Sequence, residues 1–251
     1  KVDFVFNIAE GRGNYRSREA QVPSILEMLD IHYSGSDPQC LAICLDKPLT
    51  KKLVALEGIP TPEWRVINNE RELEETSWTG FPFPAIVKPA YEGSSKGVHG
   101  KSLVDSEEQV YEVVGQLLKV YEQPVMVEQF IDGDEVTVGV LGNSPHKIIV
   151  GMMRILPRKQ KEPFVYSVEV KRDWRNLVDY EAPANLKKEV QEEIIKSSFK
   201  SYEILGCRDF ARIDFRVSKD GIPYMLEINP LPGLGDYSDL IIMALKLGWS
   251  H

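Results

Sequence analysis

The spacing of hydrophobic and polar positions changes several times along the first quarter of the chain. "KVDFVFNIAE" is apolar enough to predict an interior strand of an α/β sheet, and "SREAQVPSILEMLD" predicts an amphipathic helix capped by Ser17. "DPQCLAICL" and "DKPLTKKLVALEG" predict two further helices, the second ending at Gly58. Pro60 and Pro62 predict a linker, which places a domain boundary near residues 45–62.

The middle of the chain predicts a small ββαβ unit. Its strands are "EWRVI", "FPAIVKP", "KSLV" and "PVMVEQFI", and its helix is "SEEQVYEVVGQLLKVY", which begins after Ser106. From "DGDEVTVGVLGN" the alternation predicts antiparallel strands, followed by a loop-rich stretch from "KQKEPF" to "YEAPAN". A long helix from Leu186 to Leu205 ends at Gly206, and a hairpin closes the chain.

The final hairpin carries the most informative pattern. Asp220-Gly221 is a strong signal for a two-residue turn between alternating segments. Such a turn places Asp214 opposite Glu227, and Arg212 opposite Asn229. Because side chains alternate between the faces of a strand, these four share one face. The other face is apolar: Ile213, Phe215, Leu226 and Ile228.

Two carboxylates directly opposite each other destabilise a sheet unless something neutralises them. A solvated face is the ordinary explanation, since antiparallel sheets often have one polar side. This face, however, lacks the usual Lys, Thr and Ser, and its second strand runs into the loop "NPLPGLG". Two carboxylates and an Asn oxygen form the hard-oxygen set that suits Mg²⁺. The hairpin therefore predicts a Mg²⁺ site. Because protein-bound Mg²⁺ commonly also binds phosphate oxygens, a nucleotide site is expected elsewhere in the chain.

Composition excludes some classes of protein. The 251 residues have an ordinary hydrophobic content of 43%, and the net charge of −8 argues against general binding to nucleic acid. No apolar run approaches the roughly 18 residues of a membrane span, and the first residues do not have the pattern that would predict a signal peptide. The chain lacks both an initiator Met and a preceding βα unit, which predicts that an N-terminal piece is missing.

The cysteines and histidines predict no metal site. Three cysteines are an odd number without metal-ligand spacing; Cys40 and Cys44 can share a helix face, where small packing residues are the favoured interpretation. Reduced thiols are typical of a cytoplasmic protein. The four histidines are scattered, which supports neither a zinc site nor a His-based triad.

Two stretches indicate nucleotide binding. In "KPAYEGSSKGV", Lys88 ends a strand and precedes a glycine-rich loop that can bring backbone N–H groups onto phosphate oxygens. The spacing is not that of a Walker A motif, and a plain surface hairpin explains it equally well. In "VMVEQFIDGDE", the strand end 128–131 can contact an adenine edge, and Glu135 can bind ribose hydroxyls. An edge strand with an acidic turn is the alternative.

Taken in order, these motifs resemble the ATP-grasp fold and, within it, the D-alanine–D-alanine ligase family. The motifs are "LDKPLTK", "FPAIVKP", "EGSSKGV", "VEQFIDGDEVTV", "GCRDFARIDF" and "LEINPLPGL". The resemblance implies an α/β (α+β) chain with an incomplete N-terminal Rossmann-like portion. It implies three parts: residues 1–45 as this partial domain, 46–130 as the central lid subdomain, and 131–251 as the C-terminal subdomain with the metal and substrate site.

The resemblance also implies a function. The chain is expected to be a cytoplasmic ligase of peptidoglycan biosynthesis that joins a carboxylate to an amine through an acyl phosphate. It is expected to use ATP with Mg²⁺, as two ions or with Mn²⁺ in their place. Small amino acids or peptides are the expected substrates, with neither nucleic acid nor membrane as a partner, and a homodimer is the expected assembly.

Roles carry over residue by residue. Catalysis is implied for Arg212, Ser94 and Lys171, and metal binding for Asp214, Glu227 and Asn229. Contacts to ATP are implied for Lys47, Lys88, Ser94, Ser95, Glu128, Gln129, Phe130, Ile131, Glu135 and Lys171. Contacts to the amino-acid substrates are implied for Glu10, Arg172, Gly233 and Ser238.

The sequence departs from the family where the substrates bind. Glu10 stands where the family has His, Arg172 where it has Tyr, and "LGDYS" replaces a Thr-Ser-His-Ser run, with Ser238 retained. Arg12, Arg16 and Arg18 lie near the helix start expected at Ser17, which predicts an anion site. These departures favour a larger or more acidic substrate than D-alanine. A nucleotide-binding module without ligase activity is the alternative.

Overall fold

The computed structural model describes residues 2–93, 96–159 and 163–250, which form two compact units. The first unit contains 1–61, 133–156 and 180–251; the second contains 62–132 and 157–179. The helices are α1 (Gln21–Met28), α2 (Pro38–Leu45), α3 (Lys47–Leu56), α4 (Glu70–Glu75), α5 (Glu107–Tyr121), α6 (Val168–Arg172), α7 (Trp174–Leu177), α8 (Lys188–Ile204) and α9 (Asp239–Lys246). The three-part division of the chain stays a prediction.

The strands form three sheets. They are β1 (Phe4–Val5), β2 (His32–Tyr33), β3 (Trp64–Ile67), β4 (Ala85–Pro89), β5 (Leu103–Val104), β6 (Val125–Gln129), β7 (Gly133–Leu141), β8 (Ile148–Pro157), β9 (Val178–Glu181), β10 (Phe210–Ser218) and β11 (Pro223–Asn229). β1 and β2 form a short parallel pair. The larger sheets have the orders β11-β10-β7-β8-β9 and β3-β6-β4-β5.

The second unit confirms the predicted ββαβ pattern. The Ser106 side chain accepts a hydrogen bond from the backbone of Gln109 and so caps α5. Val110, Val114 and Leu117 recur at helical spacing on one side of α5 and join the apolar core of this unit. The short helix α4 was not predicted.

The core of the first unit lies between its five-stranded sheet and α8. Val190 and Ile194 of α8 pack in one cluster with Val138 of β7 and Phe215 of β10. The helix ends as predicted, since Gly206 adopts a φ of +72° that favours glycine. The stretch predicted to be rich in loops contains, in its described part, α6, α7 and β9.

The helix predicted to start at Ser17 begins later. Residues Arg18–Ala20 form a single 3-10 turn, and the Ser17 side chain makes no capping hydrogen bond. Pro23 supplies the reason, because proline lacks the N–H group and is tolerated only in the first turn of an α-helix. α1 therefore starts at Gln21, so the helix start predicted at Ser17 is wrong; the anion site expected there stays a prediction.

The final hairpin has the predicted pairing at the end away from its turn, where the charged residues lie. Arg212 pairs with Asn229, and Asp214 with Glu227. The turn itself is wrong: the Ser218 N–H bonds to the Ile222 carbonyl, which leaves a loop of residues 219–221. A bulge between Asp214 and Phe215 compensates for the longer loop and restores the register.

The bulge also changes which residue of β11 enters the core. Phe215 pairs with Met225, which is 1% exposed, whereas Leu226 is only partly buried. Leu226 was predicted on the apolar face and is the extra residue of the bulge. The prediction that the hairpin closes the chain is also wrong, because α9 follows it. No helix among the described residues is long and apolar enough to cross a membrane.

Candidate active-site groups

The charged face of the hairpin brings together the four residues predicted from its alternation. Arg212 and Asp214 lie on β10, and Glu227 and Asn229 lie on β11, all in register. On its other side β10 pairs with β7, where Thr137 stands opposite Asp214. The Thr137 hydroxyl donates to Asp214 Oδ1 over 2.6 Å. Thr137 thus orients the carboxylate, a role that the sequence analysis missed.

Arg212 is buried and grips Asp214 with two nitrogens. Its Nε lies 3.0 Å from Asp214 Oδ1, and one terminal nitrogen lies 2.9 Å from Oδ2. Burial lowers the pKa of Arg212, but the fields of Asp214 and Asp239, the bond to Asp214 and the field of Glu227 outweigh it and raise the pKa overall. The guanidinium therefore carries a permanent positive charge at a position with little access to solvent.

Glu227 also has cations beside it. Lys47, the first residue of α3, places its Nζ 3.5 Å from Glu227 Oε2, and Arg212 lies 3.7 Å from Oε1. Asp46 holds the start of α3 by accepting a hydrogen bond from the backbone of Leu49. The two facing carboxylates are thus compensated by protein cations, where the sequence analysis expected a metal to do this alone.

α9 adds a further carboxylate that the sequence analysis missed. Asp239 begins this helix, is buried, and lies 3.8 Å from a terminal nitrogen of Arg212. The helix packs closely at Gly139 of β7, where an added Cβ would lie 2.6 Å from Leu240 and 2.8 Å from Met243. The apolar helical pattern "DLIIMALK" after Ser238 was the available signal for α9.

The donor set fits a divalent cation. The side chains of Asp214 and Glu227 are 16% and 24% exposed, so a cation can reach them from solvent. The backbone of Leu231 donates to Asn229 Oδ1 over 3.0 Å, which fixes the carboxamide and leaves that oxygen a second lone pair. Carboxylate and amide oxygens are the ligands that Mg²⁺ prefers.

Glu135, predicted to bind ribose, lies on β7 in register with Arg216. A terminal nitrogen of Arg216 is 3.5 Å from Glu135 Oε2, and another donates to the carbonyl of Gly133 over 3.0 Å. The carboxylate is thus held by a buried arginine, and its ribose role stays a prediction.

In the second unit, Lys88 and Glu128 form a buried ion pair. They lie on the neighbouring strands β4 and β6, and the Lys88 Nζ donates to Glu128 Oε2 over 2.6 Å. Both side chains are nearly inaccessible to solvent. Lys88, which is predicted to contact phosphate, therefore lies beside Glu128, the first residue of the segment predicted to contact adenine.

The strand end predicted to hold adenine supplies apolar cover. Phe130 and Ile131 are buried. The Gln129 N–H donates to the Glu63 carbonyl and the Phe130 N–H to the Pro84 carbonyl, so these two amides are already used. An adenine edge would have to be recognised by other backbone groups of residues 128–131.

Lys171 lies on α6, with its Nζ 4.8 Å from the centre of the Tyr166 ring. The segment that carries it is attached to the glycine-rich loop: His99 Nδ1 lies 2.5 Å from Glu169, and the Val168 N–H donates to the Val98 carbonyl. Hydrogen bonds from Ser167 and His99 lower the pKa of Glu169 to about 2. Ser94 and Ser95 lie outside the described residues.

The residues predicted to contact the amino-acid substrates are accessible. Glu10 and Arg172 are exposed, and the Ser238 hydroxyl donates to the carbonyl of Gly233. Of the neighbouring arginines, Arg18 is buried, whereas Arg16 is exposed and lies 3.8 Å from Asp46.

Comparison with known proteins gives one consistent result. Residues 53–251 match the family model described as the D-ala D-ala ligase C-terminus. The chain is 39% identical over 251 residues to a D-alanine–D-alanine ligase of Aquifex aeolicus, covering 98% of this chain and 77% of that protein. It is 36% identical over 229 residues to the corresponding ligase of Desulforamulus reducens, covering 88% and 70%.

Solved structures agree. The VanG D-Ala:D-Ser ligase of Enterococcus faecalis superposes with a TM-score of 0.79 at 26% identity, covering 100% of this chain and 70% of that one. The D-alanine–D-alanine ligase of Bacillus anthracis complexed with ATP gives a TM-score of 0.71 at 30% identity, covering 98% and 74%.

Proposed function

The chain belongs to the D-alanine–D-alanine ligase family, and on this premise we propose how its residues divide the work of an ATP-dependent, ADP-forming ligation. It has the ATP-grasp fold of that family and is an ATP-dependent ligase that works with a divalent metal. The carboxylate of one substrate attacks the γ-phosphorus of ATP, and the bond to ADP breaks. The amine of the second substrate then attacks the acyl carbon, loses a proton, and displaces phosphate.

In the first unit, Arg212 stabilises negative charge on the transferring phosphoryl group and on the tetrahedral oxyanion. Its guanidinium is already fixed by Asp214, so little reorganisation is needed when charge develops. Lys47 contacts phosphate oxygens from beside Glu227. Asp214, Glu227 and Asn229 would hold the divalent cation, as two Mg²⁺ ions or with Mn²⁺ in their place. A bound cation supplies positive charge that offsets the charge of the phosphates.

In the second unit, Lys88 contacts phosphate while Glu128 keeps its ammonium group in place. Residues 128–131 contact adenine, and Phe130 and Ile131 cover its ring. Ser94 and Ser95 contact the phosphates, and Lys171 contacts the terminal one. Glu135, in the first unit, binds ribose. These roles follow from the family resemblance, and the ion pair of Lys88 and the placement of residues 128–131 support them.

The observation that carries this proposal is the set of one arginine, two carboxylates and one carboxamide in register on a single hairpin face. A nucleotide-binding module without ligase activity would need the metal ligands but not the arginine fixed beside them. The test incubates the protein with ATP, Mg²⁺ and pairs of amino acids and separates the nucleotides. ADP and phosphate should appear only when both substrates are present. AMP and pyrophosphate as products would contradict acyl-phosphate chemistry.

We also propose that one substrate is larger or more acidic than D-alanine. Arg172 adds positive charge where the resemblance expects a neutral Tyr, and it is exposed at the end of α6. Glu10, Gly233 and Ser238 are the other proposed substrate contacts. D-alanine alone should give slow ADP release, and an acidic or peptide-like partner should raise it. Arg172→Tyr should shift the preference toward D-alanine. Efficient D-alanyl-D-alanine synthesis that Arg172→Tyr leaves unchanged would overturn this proposal.

A cytoplasmic location and a homodimer complete the proposal. The reaction draws on ATP, which is available in the cytoplasm, and the three cysteines are free thiols. Light scattering after gel filtration should give twice the chain mass of 28.5 kDa. A single-chain mass over the working range of concentrations would exclude the dimer.

A further inference from the structure

All three cysteines of the chain meet at one buried point of the first unit. Cys40 Sγ lies 3.9 Å from Cys44 Sγ and 3.6 Å from Cys207 Sγ, and the three sulfurs lie within 4.8 Å of one another. Their exposed fractions are 1%, 6% and 8%. Cys40 and Cys44 were predicted to pack in the core, and they do. Their contact with Cys207, which lies 167 residues from Cys40 in the chain, was not predicted.

Helix geometry and hydrogen bonds fix the three sulfurs in place. Cys40 and Cys44 are four residues apart on α2 and therefore lie on the same face of that helix. The Cys40 N–H donates to the cap residue Asp37 over 2.8 Å, and the Cys207 N–H donates to the Tyr202 carbonyl over 2.9 Å. The backbone at both ends of the cluster is thus tied down before any ligand arrives.

Two of the three distances between the sulfurs are close to those between thiolate ligands of one metal ion. With metal–sulfur bonds of about 2.3 Å, two ligands lie about 3.8 Å apart in a tetrahedral site and about 4.0 Å apart in a trigonal one. A disulfide instead requires a distance of about 2.0 Å between its two sulfurs, and the third cysteine would remain a thiol. The distances of 3.6 and 3.9 Å between the sulfurs are close to those expected for metal ligands.

The surroundings favour a soft cation with few ligands. The three cysteines belong to the apolar core cluster, together with Tyr202 and Leu205. Thiolate ligands select soft ions such as Zn²⁺ and Cu⁺ over hard ions such as Mg²⁺. Cys40 is the third residue of α2, where the positive end of the helix dipole stabilises a thiolate.

A surface cleft reaches one member of the cluster, Cys207. A surface cleft of about 420 Å³ opens beside Cys207 and Arg208, and its wall includes Tyr202, Asn143 and Lys147. A small ion can therefore arrive at Cys207 without unfolding of the unit.

We propose that Cys40, Cys44 and Cys207 form a three-thiolate site for one soft cation of the Zn²⁺ and Cu⁺ class. Three S–H protons pass to solvent as three metal–sulfur bonds form. The ion ties α2, which leads directly into α3 and Lys47, to the segment that enters β10 three residues after Cys207. Its role is structural and separate from the divalent ion of the hairpin face. This proposal does not depend on the ligase assignment.

The test uses Cd²⁺ as a spectroscopic probe on the full chain, reduced and stripped of metal under anaerobic conditions. Titration should give an ultraviolet sulfur-to-cadmium charge-transfer band that saturates at one Cd²⁺ per chain, and Zn²⁺ should remove it by competition. Carboxylates give no such band, so the hairpin face cannot produce the signal. Cys207→Ser and Cys44→Ser should each lower the affinity at least tenfold, while Arg208→Lys, the matched neighbour, should not.

The melting temperature of the wild-type protein gives a second test that does not depend on whether the variants fold. Cd²⁺ should raise the melting temperature of the wild-type protein, with a shift that grows with the logarithm of Cd²⁺ concentration. Absence of the band, a band of equal amplitude in Cys207→Ser, or a Cys40–Cys207 disulfide in the purified chain would each overturn the proposal.

Discussion

The two faces of the β10–β11 hairpin differ in almost every respect although their residues alternate one by one. One face presents Arg212, Asp214, Glu227 and Asn229; the other presents Ile213, Phe215, Met225 and Ile228, all at most 2% exposed. Chemistry and stability therefore depend on neighbouring positions of the same strands. Variants at positions one residue apart should therefore change either catalysis or stability, but not both.

The largest effect is expected for Glu227→Gln. The change removes a charge next to Lys47 and Arg212 and takes away a proposed metal ligand. ADP-forming turnover should fall by more than about a hundredfold because the stabilising charge of the metal is lost. Asp220→Asn, at the exposed turn of the same hairpin, is the matched control and should leave turnover unchanged. Near-normal turnover in Glu227→Gln would remove this residue from the site.

Arg212→Lys should come next, with a loss of about 10²–10³-fold in kcat. A lysine keeps the charge but loses the fork that grips Asp214. Circular dichroism should confirm that the variant is folded, and Arg208→Lys, outside the hairpin, should behave as wild type. If Arg212→Lys retains full kcat, a simple positive charge is sufficient there.

Thr137→Val should cost roughly 10- to 150-fold in kcat/KM, since a hydrogen bond to a charged group contributes about 1.5–3 kcal/mol. The valine keeps the shape of the side chain but cannot donate to Asp214. Thr137→Ser, which retains the hydroxyl, should restore activity. An equal loss in both variants would indicate a packing role instead.

The smallest effect on catalysis is expected for Ile213→Val on the apolar face. Deleting one buried methylene should lower the free energy of unfolding by about 0.5–1.5 kcal/mol. Denaturant titration should show a lower midpoint with an unchanged slope, while turnover stays at the wild-type level. A selective loss of turnover would mean that the two faces are not separable.

Much of the hairpin could be predicted because local chemistry determines it. Strand alternation and the turn signal at Asp220-Gly221 gave the correct partners for Asp214 and Arg212. Two errors cancelled there, since the loop is longer than predicted and the bulge absorbs the difference. Leu226 was misplaced because a bulge has no clear sequence signal, only a packing cause.

The groups that the sequence analysis missed come from distant segments. Thr137 reaches Asp214 through the pairing of β7 with β10, and Asp239 reaches Arg212 through the docking of α9. Cys207 joins Cys40 in the same way. Single-chain patterns carry information about residues a few positions apart, whereas these contacts depend on tertiary packing.

The central claim is that the charged face of the hairpin holds the divalent ion used in ADP-forming ligation. Turnover measured against Mg²⁺ concentration at saturating ATP tests it most directly, using Asp214→Asn and its strand neighbour Ile213→Val. The account predicts that Asp214→Asn loses turnover and needs far more Mg²⁺, while Ile213→Val follows the wild-type curve. A wild-type curve for Asp214→Asn at limiting Mg²⁺ would contradict the claim.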